Sequence, residues 1–230
     1  MRNALIIGCN NDLGRKVSKL LLRQEFNVYG ASHSDFFDDE VFNKVFPLDL
    51  TNNDSIKNFI KDINDLEKSF DFIFFISGFL SGNSIKDINL KDIIYSFEVN
   101  IVGQIKVFQG LIPKIDHQSL VLFMSSISAT NGSFDSVYSS SKAAVEGFVK
   151  SVASGNHFKG RINALAPGLI KDSSMYQNFS MLEVNSHLKE TPTGRLTTID
   201  QIANIAIRLL DEEWSNLNGQ ILHLSGGRRI

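Results

Sequence analysis

Short apolar runs at Ala4–Ile7, Val28–Ala31, Phe72–Ile76, Leu120–Met124, Ile162–Ala166 and Ile221–Leu224 alternate with longer stretches in which apolar residues recur at helical spacing. An unbroken run of four or five apolar residues suits a strand covered on both faces, and such strands separated by helices build a parallel sheet. The pattern predicts an α/β doubly wound architecture. Helices are expected over Leu13–Gln24, Ser55–Leu66, Leu90–Leu111, Val137–Ala153 and Ile199–Leu210, with Thr51 and Thr198 placed to cap two of them. Two segments, 34–44 and 168–196, follow neither period; the second is long enough to cover a substrate. There is no internal repeat, low-complexity tract or Pro/Gly-rich linker, so residues 1–230 read as one domain.

Composition narrows this picture mainly by exclusion. With 23 basic and 25 acidic residues spread along the chain, the formal charge of -2 gives no field suited to nucleic acid or an anionic membrane. A single cysteine, Cys9, can form neither an internal disulfide nor a zinc cluster, which fits a reducing compartment. The five histidines lack metal-ligand spacing, and no Gly-x-Ser-x-Gly elbow is present, so no metal site and no hydrolase are expected. No apolar run approaches the length of a membrane span, and Met1 to Gly8 is too short for a secretion signal. A soluble, cytoplasmic protein is the expectation. The 18 Phe residues fall mostly at periodic apolar positions and read as core.

Two stretches carry candidate chemistry. The first, ALIIGCNNDLGRKVSKLLL, leads from a strand through a turn bounded by Gly8 and Gly14 into a helix, an arrangement whose free backbone N–H groups can hold a diphosphate. Asp12 stands where a third glycine would complete a Gly-x-x-x-Gly-x-Gly spacing; the expectation is that its carboxylate caps the helix instead of facing an anion. An ordinary strand-to-helix turn explains these residues equally well. The second stretch, Tyr138-Ser-Ser-Ser-Lys142, puts a phenol and an ammonium one helical turn apart. A fixed cation favours phenolate and should lower the tyrosine pKa, making Tyr138 a candidate general acid/base. That spacing alone is common.

The order of motifs is more specific. After the glycine turn come Asp49-Leu50, Ser77-Gly78 and Asn100 within VNIVG, then Ser125-Ser126 ending LVLFMSS, Tyr138 and Lys142, Asn163 within RINALAPG, and GQILHLSGG near the C-terminus. In this arrangement the chain resembles the short-chain dehydrogenase/reductase family over essentially its whole length, with the layout of 3-oxoacyl carrier-protein reductases. The resemblance implies a Rossmann fold with a mostly parallel seven-stranded sheet and a homo-oligomer, commonly a tetramer, built on helices 90–111 and 137–153. It implies Tyr138 as acid/base, Ser126 as donor to the substrate oxygen with Ser125 as the near alternative, Lys142 holding the nicotinamide ribose, and Asn100 holding a relay water from a break in its helix. Residues Gly8, Asn10, Asn11, Asp12, Leu13 and Gly14 would face the diphosphate. Ser32, His33, Ser34, Asp49 and Leu50 would line the adenosine side, and Ser77, Gly78, Pro167, Gly168 and Ile170 the remainder of the cofactor path.

Departures from the family pattern are informative. Phe75-Ile76-Ser77-Gly78 replaces the usual Asn-Asn-Ala-Gly, so apolar packing is expected in place of a bridging amide, and Ile7 replaces the threonine that usually precedes Gly8. Asp172 stands where a threonine normally contacts the nicotinamide amide, with Ser173 or Ser174 as substitutes. At the end of the second strand Ser32-His33-Ser34 offers donors and no acid, which favours NADP(H) over NAD(H). The expected activity is interconversion of a carbonyl and a secondary alcohol. The rival is a dinucleotide-binding sensor or scaffold with weakened catalysis. Met175, Tyr176, Phe179, Met181 and Leu182 would give segment 168–196 an apolar lining or equally pack against the core.

Overall fold

Seven strands run parallel in one sheet in the order β3-β2-β1-β4-β5-β6-β9. They are β1 (Asn3–Ile7), β2 (Asn27–Ser32), β3 (Lys44–Pro47), β4 (Phe72–Phe75), β5 (Leu120–Met124), β6 (Arg161–Pro167) and β9 (Ile221–Leu224). The structure, a computed structural model, describes residues 2–34, 40–155 and 158–228. Residues 35–39 of the irregular segment expected at 34–44 lie outside them. Every described pairing in the large sheet is parallel, a stricter outcome than the mostly parallel sheet expected.

Alternation along each strand divides the core into two layers. Leu5, Ile7, Ile73, Phe75, Val121 and Phe123 face α2 (Asn53–Asn64), α4 (Gly103–Leu111) and α6 (Ser136–Ser154). Ala4, Ile6, Phe72, Phe74, Leu120 and Leu122 face α1 (Asp12–Leu22) and α9 (Ile199–Arg208). Phenylalanines fill the first layer: Phe75 stacks on Phe123 at 4.3 Å, and Phe108 meets Phe123, Phe148 and Phe158 edge-on. Each such fully buried ring contributes roughly 2–3 kcal/mol through apolar area alone. Cys9 is buried in the second layer, and burial pushes its thiol pKa up to about 12, so it is inert packing.

Helix boundaries shift where capping chemistry differs from the expectation. Thr198 caps α9 in a reciprocal capping box with Gln201. Thr51 does not cap α2; Asn52 does, accepting from Asp54 and Ser55 N–H, while the Thr51 hydroxyl donates to Asp49. The long helix expected over 90–111 is interrupted: α3 (Leu90–Phe97) and α4 flank a π-helical turn at Glu98–Val102 that carries Asn100. The remaining α-helices among the described residues are α5 (Ser128–Asn131) and, within segment 168–196, α7 (Ser174–Gln177) and α8 (Met181–Lys189). The ends of that segment are tied by a two-stranded parallel pair, β7 (Ile170–Lys171) with β8 (Thr197–Thr198), so it is a closed excursion over the sheet edge.

Candidate active site

The strand order reverses between β1 and β4, and a crevice opens outside the carboxyl ends of the strands at that point, where doubly wound sheets bind ligands. Its volume is about 1740 Å³, with residues from the glycine turn at one end and from α6, α7 and α8 at the other.

At the glycine-turn end, Gly8 has φ +86°, and a Cβ there would lie 2.3 Å from Ser77 Oγ, so no other residue fits without a shift. A Cβ on Gly14 would meet the Cys9 carbonyl at 2.4 Å, which keeps α1 close to β1. Asp12 is not the cap. Asn11 holds that position, accepting from Gly14 N–H at 2.8 Å and donating to the Gly8 carbonyl at 2.7 Å, while Asp12 sits exposed in the first turn. An amide can satisfy both ends of the turn; a carboxylate cannot donate to Gly8. The cradle suits a diphosphate: close-fitting glycine backbone at a helix N-terminus. At the end of β2, Asn10 Nδ2 donates to Ser34 Oγ at 2.7 Å, and the Ser32 and Ser34 hydroxyls are 3.3 Å apart. His33 Nε2 lies 3.8 Å from Asp49 Oδ2, so a carboxylate does stand beside this subsite, delivered from the end of β3. The other Asp49 oxygen accepts from Thr51 N–H and its hydroxyl.

At the other end, α6 places Tyr138, Ser141, Lys142 and Glu146 on its buried face. The Ser126 hydroxyl accepts from Ser128 N–H at 3.1 Å and is hydrogen-bonded to the Tyr138 phenol. Ser125 is committed elsewhere: it donates to Glu146 at 2.9 Å. Lys142 Nζ donates to the Met124 carbonyl at 2.8 Å and lies 3.5 Å from where a Gly78 Cβ would be. Asn100 is wholly buried; its Oδ1 accepts from Phe79 N–H and its Nδ2 donates to the Phe79 carbonyl and to Ser141. The π turn thereby fixes Asn100 beside Gly78, with its Oδ1 3.7 Å from the same missing Cβ.

The expected lowering of the Tyr138 pKa does not occur in this state. Burial pushes it up to about 12; the Ser126 hydrogen bond opposes the rise and the Asp135 carboxylate adds to it. Lys142 does not counter this, because its ammonium is 5.8 Å from the ring centroid and turned to Met124, and burial pulls its own pKa down to about 8.

Further expectations change in detail. Phe75 and Ile76 pack apolarly, yet an amide does bridge the backbone here: Gln104 Nε2 donates to the Ser77 and Val99 carbonyls, tying the exit of β4 to the π turn. Asp172, at φ +63°, lies exposed outside the crevice lining, whereas Ser173 and Ser174 are within it. The Ser173 hydroxyl caps α7. Of the five apolar residues expected to line the cover, Met175 and Phe179 do. Tyr176 does not, and Met181 and Leu182 point to solvent, 71% and 83% exposed. The same wall instead presents His187 and Glu190, both contacting Arg228, none of which the sequence reading singled out. Asp135 was missed as well, although an Asp three residues before Tyr138 at a helix start is a cap signal. Pro167, Gly168 and Ile170 line the crevice, as do Leu50, Ser77 and Gly78.

A parallel sheet with a crevice at its switch point and a buried Tyr–Lys pair facing it is the framework of a Rossmann-type oxidoreductase. The family model described as enoyl-(acyl carrier protein) reductase matches residues 10–229. The chain is 29% identical to the 3-oxoacyl-[acyl-carrier-protein] reductase FabG of Buchnera aphidicola subsp. Schizaphis graminum, over 98% of this chain and 96% of that one. It is 30% identical to dehydrogenase/reductase SDR family member 6 of Xenopus laevis, over 78% and 76%. A solved short chain dehydrogenase family protein from Francisella tularensis superposes with a TM-score of 0.88 at 26% identity, covering 99% of this chain and 98% of that one. The chain belongs to the short-chain dehydrogenase/reductase family, and it is an oxidoreductase. Among the described residues no helix is long and apolar enough to cross a membrane, and no acid, histidine and cysteine group could hold a metal ion.

Proposed function

We propose that the protein is an NADP(H)-dependent reductase interconverting a carbonyl and a secondary alcohol, acting on a small-molecule substrate of the 3-oxoacyl type. The observation that carries this reading is that Ser126, Tyr138, Lys142 and Gly78 line one crevice, with Lys142 Nζ 3.5 Å and Asn100 Oδ1 3.7 Å from where a Gly78 Cβ would be. Residues Gly8, Asn10, Asn11, Asp12, Leu13 and Gly14 would hold the diphosphate, Ser32, His33, Ser34, Asp49 and Leu50 the adenosine side, and Ser77, Gly78, Pro167, Gly168 and Ile170 the nicotinamide side. The bound dinucleotide supplies the hydride.

The protein supplies the proton and the orientation. With its pKa near 12, Tyr138 carries its proton throughout the neutral range and is set up to donate to a carbonyl oxygen. Ser126 shares that oxygen's position through its bond to the phenol and offers a second donor to developing negative charge. Lys142, still charged at neutrality, favours the phenolate left behind once a ligand draws it from Met124. Asn100, buried between Phe79 and Ser141, holds the route by which Lys142 is reprotonated. Donors at Asn10, Ser32 and Ser34, with Asp49 already engaged by Thr51 and His33, support a 2′-phosphate and hence NADP(H). The cytoplasm is the proposed compartment. The exposed Leu90, Ile94 and Val102 on α3 and the π turn support a homo-oligomer through helices 90–111 and 137–153.

The test is Tyr138→Phe, assayed with NADPH and a panel of 3-oxoacyl thioesters. Turnover should fall roughly 10²–10⁴-fold while NADPH fluorescence titration still reports binding. Retained turnover rejects the assignment; tight binding in the unaltered protein with no substrate oxidising NADPH favours the sensor.

A further inference from the structure

Asp135 is a buried carboxylate, 2% exposed, with four protein donors. One oxygen accepts from Tyr138 N–H at 2.9 Å and so caps α6. The other accepts from Ser81 N–H at 3.0 Å, the Ser81 hydroxyl at 2.7 Å and Gly82 N–H at 3.1 Å. These two sets of donors come from opposite lips of the crevice: Ser81 and Gly82 follow Gly78 beyond β4, and Tyr138 begins the helix across from them.

We propose that Asp135 is a positioning residue for the site, a single carboxylate that seats the first turn of α6 and locks the 80–82 loop against it. The proposal rests on the reading of Tyr138 as the proton donor. A neutral asparagine cannot replace it, because its single amide oxygen can serve only one of the two sets, and whichever way the amide turns its Nδ2 faces either the Tyr138 N–H or the Ser81 and Gly82 N–H groups. The same carboxylate has an electrostatic effect on the phenol, holding it in the protonated form that reduction requires. Other charged groups on α6 and the elements packed against it are Lys142, Glu146 and Lys150 on α6, Glu98 on the π turn, Lys91 and Asp92 on α3, Lys106 on α4, and Arg161 on β6; α5 carries none. Of these and Asp135, only Asp135 shifts the phenol by charge.

Asp135→Asn tests both parts without substrate or dinucleotide. At a pH of about 10.5 the phenolate attributable to Tyr138, read as ultraviolet absorbance against the same variant carrying Tyr138→Phe, is expected to rise about threefold over the unaltered protein. The amides that the new Nδ2 faces, those of Ser81 and Gly82 or that of Tyr138, should exchange hydrogen at least tenfold faster. Asp135→Ser, which keeps an oxygen for the Tyr138 N–H, should show both changes with α6 intact, and serves if the asparagine variant does not fold. A phenolate fraction unchanged in the folded variants, or Ser81 and Gly82 amides exchanging no faster in Asp135→Ser, overturns the proposal. An inactive Tyr138 assignment would leave these two readouts in place, so the two failures are distinguishable.

Discussion

At the nucleotide end of the crevice, Gly8, Asn11 and Gly14 are required by the fold as well as suited to a ligand, whereas at the other end Tyr138 and Lys142 are polar groups whose charged forms burial disfavours. The first end is made from backbone and short-range hydrogen bonds within one turn. The second is made from side chains that four separate elements bring together: β5, α6, the π turn and the loop after β4. Residues of the first kind should lose function and stability together. Residues of the second kind should separate the two.

The sharpest separation is expected at Lys142. Lys142→Met should reduce turnover by roughly 100-fold or more, yet raise folding stability at pH 7 by about 1–3 kcal/mol, measured by urea denaturation. The sign follows from the depressed pKa. The unfolded lysine keeps its proton up to pH 10.5 and the folded one only to about 8, so the folded state carries the full penalty below pH 8. The gap between variant and unaltered protein should therefore shrink as pH rises from 8 to 10.5. Reductive turnover of the unaltered protein should decline above about pH 8. A destabilised Lys142→Met would dissolve the contrast between the two ends.

Gly8→Ala is the counterpart at the nucleotide end. A side chain there must adopt a left-handed conformation and displace Ser77, costing about 2–3 kcal/mol, and NADPH binding should be lost with it. Unchanged stability with lost binding would show that the turn serves the ligand alone. Next in size, Ser34→Asp should move the ratio of NADPH to NADH dissociation constants about tenfold toward NADH, roughly 1.4 kcal/mol, without altering the melting temperature. A preference that stays put would remove Ser32–Ser34 from the 2′ subsite. The smallest effect is expected from Asn11→Ala, about 1 kcal/mol of stability through loss of the cap, with a matching weakening of dinucleotide affinity.

The two ends also differed in how far they could be read before the structure was known. The apolar runs located six strands within a residue or two, because a strand buried on both faces must be apolar throughout; β3, with Lys44 at its exposed start, was weaker in pattern. The glycine turn was legible, but its cap was assigned to Asp12, since capping preference alone does not distinguish adjacent Asn11 and Asp12. The Tyr–Lys spacing was legible as an arrangement on one helix face, and its electrostatics were not: the expected cation lies against a carbonyl from β5, a long-range contact. The wall of segment 168–196 was read as apolar because exposure cannot be judged where no period exists. Met181 and Leu182 face solvent, and Arg228, almost fifty residues beyond Met181, meets Glu190 and His187 there.

By itself the sequence determined the doubly wound sheet and the order of its candidate catalytic residues, because hydrophobic period and turn chemistry are local properties of the chain. Only the tertiary structure decided the titration of Tyr138 and Lys142, the bridge by Gln104 and the clamp by Asp135. Those depend on desolvation and on partners that come together only when distant segments pack, and a buried charge has no sequence signature apart from the neighbours that bury it.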